Sequence, residues 1–334
     1  MAGPGRPDGG RCFVAAQGRL LPSLFVAAVP EDLAPAVDVA HGPRSWGSVA
    51  KAYFLLTKPR VIELLLVTTV PAMVLAADGL PSLALIGAVL LGGALSAGGA
   101  NTINCWIERD RDQVMRRTHS RPIPAGDISP NAALVFGLAL EAIAFVWLTL
   151  TVNLLSATLS VSAMLFYIFV YTIWLKPRSP QNIVIGGAAG AVPALVGWAA
   201  VTNSLSVSAW VMFAIVFCWT PPHFWALSVR YREDYAKAGI PMLPVVVGTA
   251  AAARQILVYA VVTVVVSFAL VPVSDVGWIY GITALVLGVM FVAAAFALLR
   301  KPTPEAALKL FHFSNTYLAL LFVAIAVDVI VRAG

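Results

Sequence analysis

Polar and apolar positions divide this chain into long blocks rather than short alternations. From Ala52 onward, apolar runs at 61–77, 82–105, 132–151, 154–174, 183–202, 207–228, 254–273, 277–299 and 311–331 are separated by short polar joints. Each run is near the roughly 20 residues an α-helix needs to cross the hydrocarbon core of a bilayer. A membrane β-barrel would instead show alternating segments of about ten residues. The pattern predicts an all-α integral membrane protein of about nine transmembrane helices. Residues 1–50 differ, with glycine, proline and scattered charge around a broken apolar patch at Phe13–Val29. Gln17, Gly18, Arg19 and Pro22 leave that patch too short to span, and Asp8, Glu31, Asp32 and Asp38 argue against a transit peptide. We expect a poorly ordered extension over 1–50 and a nine-helix membrane domain over 51–334.

Composition agrees: of 334 residues 60% are hydrophobic and 11% charged, with a mean hydropathy of +0.88, which excludes a soluble domain. Cys12, Cys105 and Cys218 have neither paired nor metal-ligand spacing, so no disulfide framework or zinc site is indicated. Charge sets the orientation. With the N-terminus in the cytoplasm, every one of the 22 Lys and Arg residues except Arg332 falls on the cytoplasmic side. The expected location is a bacterial plasma membrane rather than the mitochondrial inner membrane. No nucleic-acid partner is expected.

Candidate chemistry gathers in Ala100–Gly126. If the helix that ends there continues past 105, Asn104, Glu108 and Asp112 stand at i, i+4 and i+8 and line one face over about 12 Å. Asn101 lies near that face, while Asp110 points elsewhere. Hard oxygen donors in such a row suit magnesium, which is typically shared between one or two carboxylates and a substrate's phosphates. Arg116, Arg117 and Arg121 follow at once and can meet phosphate oxygens bidentately. The competing reading is a helix leaving the bilayer with ordinary basic anchors.

Other joints on the same side add to this end. Lys58 and Arg60 flank Pro59, Lys176 and Arg178 follow Tyr171, and Glu233-Asp234 sit among Arg230, Arg232 and Lys237. The cations either reach phosphate or anchor headgroups. Gly186, Gly187 and Gly190 are expected to let helices approach closely, and Pro193 to add a bend. Pro221-Pro222 inside the sixth span free backbone carbonyls and predict a cavity there. Two acidic clusters, after the second and sixth spans, suggest a pseudo-repeat around one central pocket.

The run Asn104-x-x-x-Glu108-x-x-x-Asp112, followed by Met115-x-Arg117-Thr118-x-x-Arg121-Pro122, resembles the first signature of the UbiA-type intramembrane prenyltransferases. The resemblance covers about Lys51 to the C-terminus. Leu56–Val61, Tyr171–Pro193, Thr220–Ser228, Asp234–Val246 and Leu310–Phe322 resemble the haem-farnesylating branch. It implies nine helices around a central cavity with the site at the cytoplasmic face. It also implies transfer of a farnesyl group from farnesyl diphosphate to a vinyl group of haem b, with water adding, and a requirement for Mg2+. On this resemblance Asn104, Glu108, Asp112 and Asp234 are catalytic residues of the metal shell, with Glu233 a further candidate ligand. Lys58, Arg117, Arg121, Lys176 and Arg178 would hold diphosphate, and His223 or His312 would bind haem. Membrane lipid and haem A synthase are the candidate partners. Two departures stand out: Glu108 replaces the commoner aspartate, and Glu233-Asp234 replaces the usual Asp-x-x-x-Asp. The rival readings are a sister enzyme acting on a quinone precursor or chlorophyllide, a secondary transporter, and a haem- or lipid-binding assembly protein.

Overall fold

A computed structural model describes residues 45–333, apart from the side chains of Arg60, Val61, Leu64, Leu65 and Leu66. Most of the expected extension, the patch at 13–29, Cys12, His41 and the expected role of Arg60 therefore lie outside the described residues. Residues 46–50 already belong to helix α1 (Trp46–Leu56). The described residues form helices throughout and no strand. They continue as α2 (Pro59–Ala77), α3 (Leu83–Val114), α4 (Pro130–Thr151) and α5 (Leu154–Leu165), which runs on as a π-helix over Phe166–Leu175. After these come α6 (Asn182–Thr202), α7 (Val207–Arg230), the short α8 (Arg232–Lys237), α9 (Leu243–Phe268), α10 (Trp278–Arg300) and α11 (Pro304–Ala333).

Among the described residues eight helices are long and apolar enough to cross a membrane, and the remaining expected span, 61–77, lies within the 19-residue α2. The turns between them are set by capping chemistry. Side-chain oxygens of Ser82, Ser129, Asn153 and Ser206 accept the backbone N–H three residues on, satisfying groups a helix start leaves unpaired. Asp78 and Asn203 close α2 and α6 in the left-handed conformation. Apolar side chains such as Leu138, Val146 and Leu150 on α4 and Leu285 and Val289 on α10 are exposed, as a lipid-facing surface requires.

Two boundaries differ from the sequence reading. The apolar run 82–105 extends without a break to Val114, giving α3 32 residues, or about 48 Å against a hydrocarbon thickness of about 30 Å. Its last turns therefore project beyond the apolar zone. The run 254–273 begins earlier, at Leu243, and is interrupted at Gly248 (φ 80°), a conformation that favours glycine. The sixth span agrees: α7 is helical through Pro221 and Pro222, both buried.

From α2 to α7 and from α9 to α11, helices adjacent in this series pack side by side, with α1 on α3 and α9 on α7, and α11 closes the ring on α2; α2 also touches α6, and α7 touches α11. Close approach is made by glycine, because only a missing Cβ lets two helices come this near. Gly186 lies against the Tyr171 ring, Gly187 against Thr220, and Gly197 against the Thr69 carbonyl oxygen. A Cβ at Gly190 would meet nothing within 4 Å, so the expected packing role falls to the first two of the predicted glycines and to Gly197.

Gly197→Ala puts a methyl group into the Thr69 carbonyl and should cost about 1–3 kcal/mol. Gly190→Ala should stay within about 0.5 kcal/mol. Thermal unfolding in detergent compares the two, and equal midpoints would contradict the α2–α6 contact.

Candidate active site

The projecting end of α3 carries the row read from the sequence. Asn104, Glu108 and Asp112 are buried at 2%, 4% and 3% exposure, whereas the Asp110 side chain is 82% exposed and approaches only Arg109, at 3.7 Å. Helical geometry accounts for the contrast, since residues four apart share a face and Asp110 falls between them. An ionised group buried without a partner is costly, and each member of the row meets a cationic side chain from a different segment. Lys58 Nζ donates to Asn104 Oδ1 at 2.7 Å. Lys176 pairs with Glu108. Arg121 Nη1 donates to Asp112 Oδ2 at 2.6 Å.

Each cation is held in place locally. Lys58 occupies the left-handed region (φ 54°) between α1 and α2, with Pro59 fixing the first turn of α2. Asn101 Nδ2 donates to the Thr57 carbonyl at 3.0 Å and secures this strained turn. Burial pulls the Lys58 ammonium below its ordinary pKa. Lys176 ends the π-helix, its N–H bonded to the Tyr171 carbonyl at 2.8 Å, with its ammonium 5.7 Å from the centre of the Tyr171 ring. Burial works against the Arg121 charge, but the neighbouring Asp112 carboxylate outweighs it and holds the guanidinium above its usual pKa.

The sequence reading missed Thr172. Its hydroxyl donates to the Tyr167 carbonyl at 2.8 Å, a five-residue step that the π-helix makes available. Its single hydrogen is thereby used, so Thr172 accepts from Asn104 Nδ2 at 3.1 Å. That contact turns the Asn104 carbonyl oxygen toward Lys58. A threonine in an apolar helix gives no sign of this, because the π-turn is invisible in the residue pattern.

The second acidic cluster is met by Arg116, from the loop after α3. Its Nε donates to Asp234 Oδ1 at 3.3 Å and its Nη2 lies 3.7 Å from Glu233 Oε2. The pair left undivided by sequence is divided here: the Asp234 side chain is 4% exposed and that of Glu233 82%. Arg117 is exposed and stands 5.7 Å from the centre of the Tyr231 ring. Arg178, expected at the diphosphate, here has its Nη1 donating to the Ile173 and Trp174 carbonyls at 2.9 and 3.1 Å and so caps its own helix. His223 is held against α11 through Ser314, while His312 on α11 is exposed and does not share that contact. His119 is an exposed loop residue.

The buried oxygen donors at this end are thus Asn104, Glu108 and Asp112 on α3 and Asp234 on α8, each opposed by a cation. Hard oxygen ligands of this kind fit a divalent cation such as magnesium. Among the described residues no three Asp, Glu, His or Cys side chains converge as a self-sufficient metal cage.

A profile of the UbiA prenyltransferase family matches residues 65–321. The chain is 50% identical over 292 residues to a Salinispora tropica protein named protoheme IX farnesyltransferase, covering 86% of this chain and 91% of that one. It is 51% identical over 306 residues to protoheme IX farnesyltransferase 1 of Saccharopolyspora erythraea, covering 91% and 97%. It also resembles the solved structure of a UbiA homologue from Archaeoglobus fulgidus bound to GPP and Mg2+. There the TM-score is 0.59 at 18% identity, covering 83% and 99%, a likeness of fold.

Lys176→Met strands the Glu108 charge and should destabilise the protein by about 3 kcal/mol. The double change Glu108→Gln with Lys176→Met should recover much of that loss in the same unfolding assay. Additive losses would show that the two side chains are not coupled.

Proposed function

The chain belongs to the UbiA prenyltransferase family, and we propose that it transfers a farnesyl group from farnesyl diphosphate to a vinyl group of haem b. Water completes the reaction, giving haem O and diphosphate. Relatives about half identical over nearly their whole length carry the name of this activity. Within the structure, the observation that carries the reading is the buried row of three oxygen-bearing side chains, each facing a cation, at one end of a membrane-spanning bundle.

Asn104, Glu108, Asp112 and Asp234 would hold magnesium, as hard donors at the buried positions. Glu233 is too exposed to join them. When bound, the metal would offset the negative charge that develops on the departing diphosphate. Lys58, Lys176 and Arg121 are the cations that would turn to phosphate oxygens, with Arg117 at the rim. Arg178 is committed to carbonyls and is left out. The C–O bond to diphosphate breaks, its electron pair leaves with the diphosphate, and the allylic cation is attacked by the terminal vinyl carbon. Water adds to the inner carbon and loses a proton, so haem gains farnesyl and hydroxyl groups.

Pairing of acids with bases in the ligand-free protein gives this site a particular binding logic. Diphosphate alone would draw the cations away and leave carboxylates bare; metal alone would leave the cations bare. Both arriving together satisfy every charge. Haem is proposed to sit against His223, an axial ligand of the usual chemical type, with His312 too exposed for the same pocket. The bacterial relatives and the concentration of basic residues at the site's end support a plasma-membrane protein with that end, and the N-terminus, in the cytoplasm. Haem A synthase is a fitting partner, because the apolar product is best handed on within the membrane. Residues 51–334 would form the catalytic domain.

Purified protein given haem b, farnesyl diphosphate and magnesium should yield a product heavier than haem by one farnesyl and one hydroxyl group, read by mass. A farnesylated quinone precursor from the same protein, with haem untouched, would overturn the assignment. Glu108→Gln should abolish turnover, Glu108→Asp should retain part of it, and Asp110→Asn should behave as the parent.

Titration calorimetry should show inorganic diphosphate binding at least tenfold more tightly with magnesium present than absent. Equal affinities would contradict the exchange of partners.

A further inference from the structure

His223 is immobilised on three sides. Its ring lies between Trp219, stacked at 4.2 Å and 20°, and Phe311, stacked at 4.5 Å and 27°. Its Nδ1 is 2.7 Å from the Ser314 hydroxyl. Trp219 stands one turn before it on α7, and Phe311 and Ser314 are one turn apart on α11. The same junction is closed by Trp219 Nε1, which donates to the Ser314 carbonyl at 2.8 Å. Ser314 is fully buried, while His223 keeps partial exposure.

The hydrogen count at Ser314 decides which nitrogen of His223 carries the proton. A serine hydroxyl has one hydrogen and two acceptor lone pairs. Ser314 Oγ also lies 2.7 Å from the Phe311 carbonyl oxygen, which can only accept, so the hydroxyl hydrogen goes there. Ser314 can then serve His223 only as an acceptor, and Nδ1 must carry the hydrogen. Reversing the roles would set two oxygen lone-pair systems against each other at 2.7 Å.

We propose that Ser314 is a positioning residue that fixes His223 as the Nδ1–H tautomer, leaving the Nε2 lone pair free as an axial donor to haem iron. This rests on the haem reading above. Histidines that ligate metals are commonly oriented by a hydrogen bond from the other ring nitrogen, which also raises their basicity. Stacking on both faces adds a fixed ring plane, so the donor edge has one direction. The porphyrin, and with it the reacting vinyl group, would be placed by that edge.

The test uses the full chain in detergent with ferric protohaem IX as the probe. Histidine-selective 15N NMR of the haem-free protein, with His223 assigned from the signal lost in His223→Ala, should show a protonated Nδ1 and a bare Nε2. Ser314→Ala should shift that signal toward the other tautomer, weaken haem binding at least tenfold and alter the absorption spectrum of bound haem. Ser314→Thr, which keeps the hydroxyl, should restore all three. If His223→Ala changes the haem spectrum but Ser314→Ala leaves both spectrum and 15N signals unchanged, the role of Ser314 is overturned while the haem reading stands. An unchanged haem spectrum in His223→Ala overturns both.

Discussion

A carboxylate buried at the end of a membrane helix stays ionised only if the fold brings a cation to it. That requirement organises one whole end of this protein. Lys58 comes from the turn between α1 and α2, Lys176 from the end of the π-helix, and Arg121 from the loop after α3. Arg116, from the same loop, reaches α8 and Asp234. Segments far apart in the chain are thus drawn to one place by charge compensation, and the acids and bases so collected match those that metal and diphosphate need. Because Lys58 faces the neutral Asn104 amide, the four cations outnumber the three buried carboxylates by one, a balance that leaves positive charge for an anionic ligand.

Two acceptor arguments show how finely the polar groups are aimed. Thr172 and Ser314 each spend a single hydroxyl hydrogen on a backbone carbonyl of their own helix. Each is left able only to accept, and so dictates the orientation of a neighbour: the Asn104 amide in one case and the His223 imidazole in the other. In an apolar helix a hydroxyl normally does little more than bond its own backbone. Here the same bond converts it into a directional acceptor for a side chain on the next helix.

Much of this was legible in the chain, for physical reasons. Bilayer thickness imposes a length on every span, so the apolar runs could be located without any tertiary information. A four-residue spacing places groups on one face whatever the surroundings, which made Asn104, Glu108 and Asp112 readable and set Asp110 apart. What could not be read depends on partners or on irregular backbone. Arg178 looks like Lys176 in sequence, but a guanidinium long enough to reach a phosphate is also long enough to fold back on the carbonyls of its own helix. Glu233 and Asp234 are neighbours of like charge, and only the placement of α8 buries one and exposes the other. Gly190 continues the glycine series of α6, yet which glycine meets a neighbour is set by where helices cross. The buried Glu141, bonded to Ser96 at 3.0 and 3.1 Å, carried no signal beyond being a lone acid in an apolar run.

That last pair bears on how the proposed exchange of partners would leave the bundle intact. Trp147 donates to the Ala88 carbonyl, Ser96 bonds Glu141, and Gly99 lies against Gly137, so α3 and α4 run antiparallel in one fixed register within the membrane. As the position on α3 rises, the position on α4 falls in step, and α4 reaches its first residue, Pro130, before α3 reaches Glu108. Beyond that level α3 has no α4 to pack on. Ion pairs with the loop and with the π-helix take over from helix packing. Core contacts between helices cannot be traded for a ligand without opening voids, which close-packed interiors resist. Ion pairs can be traded, because a phosphate offers a cation anionic oxygens as a carboxylate does, and a metal offers a carboxylate positive charge as an ammonium does. The protein is therefore locked by packing where it only needs to be rigid, and held by charge where it needs to let a charged substrate in.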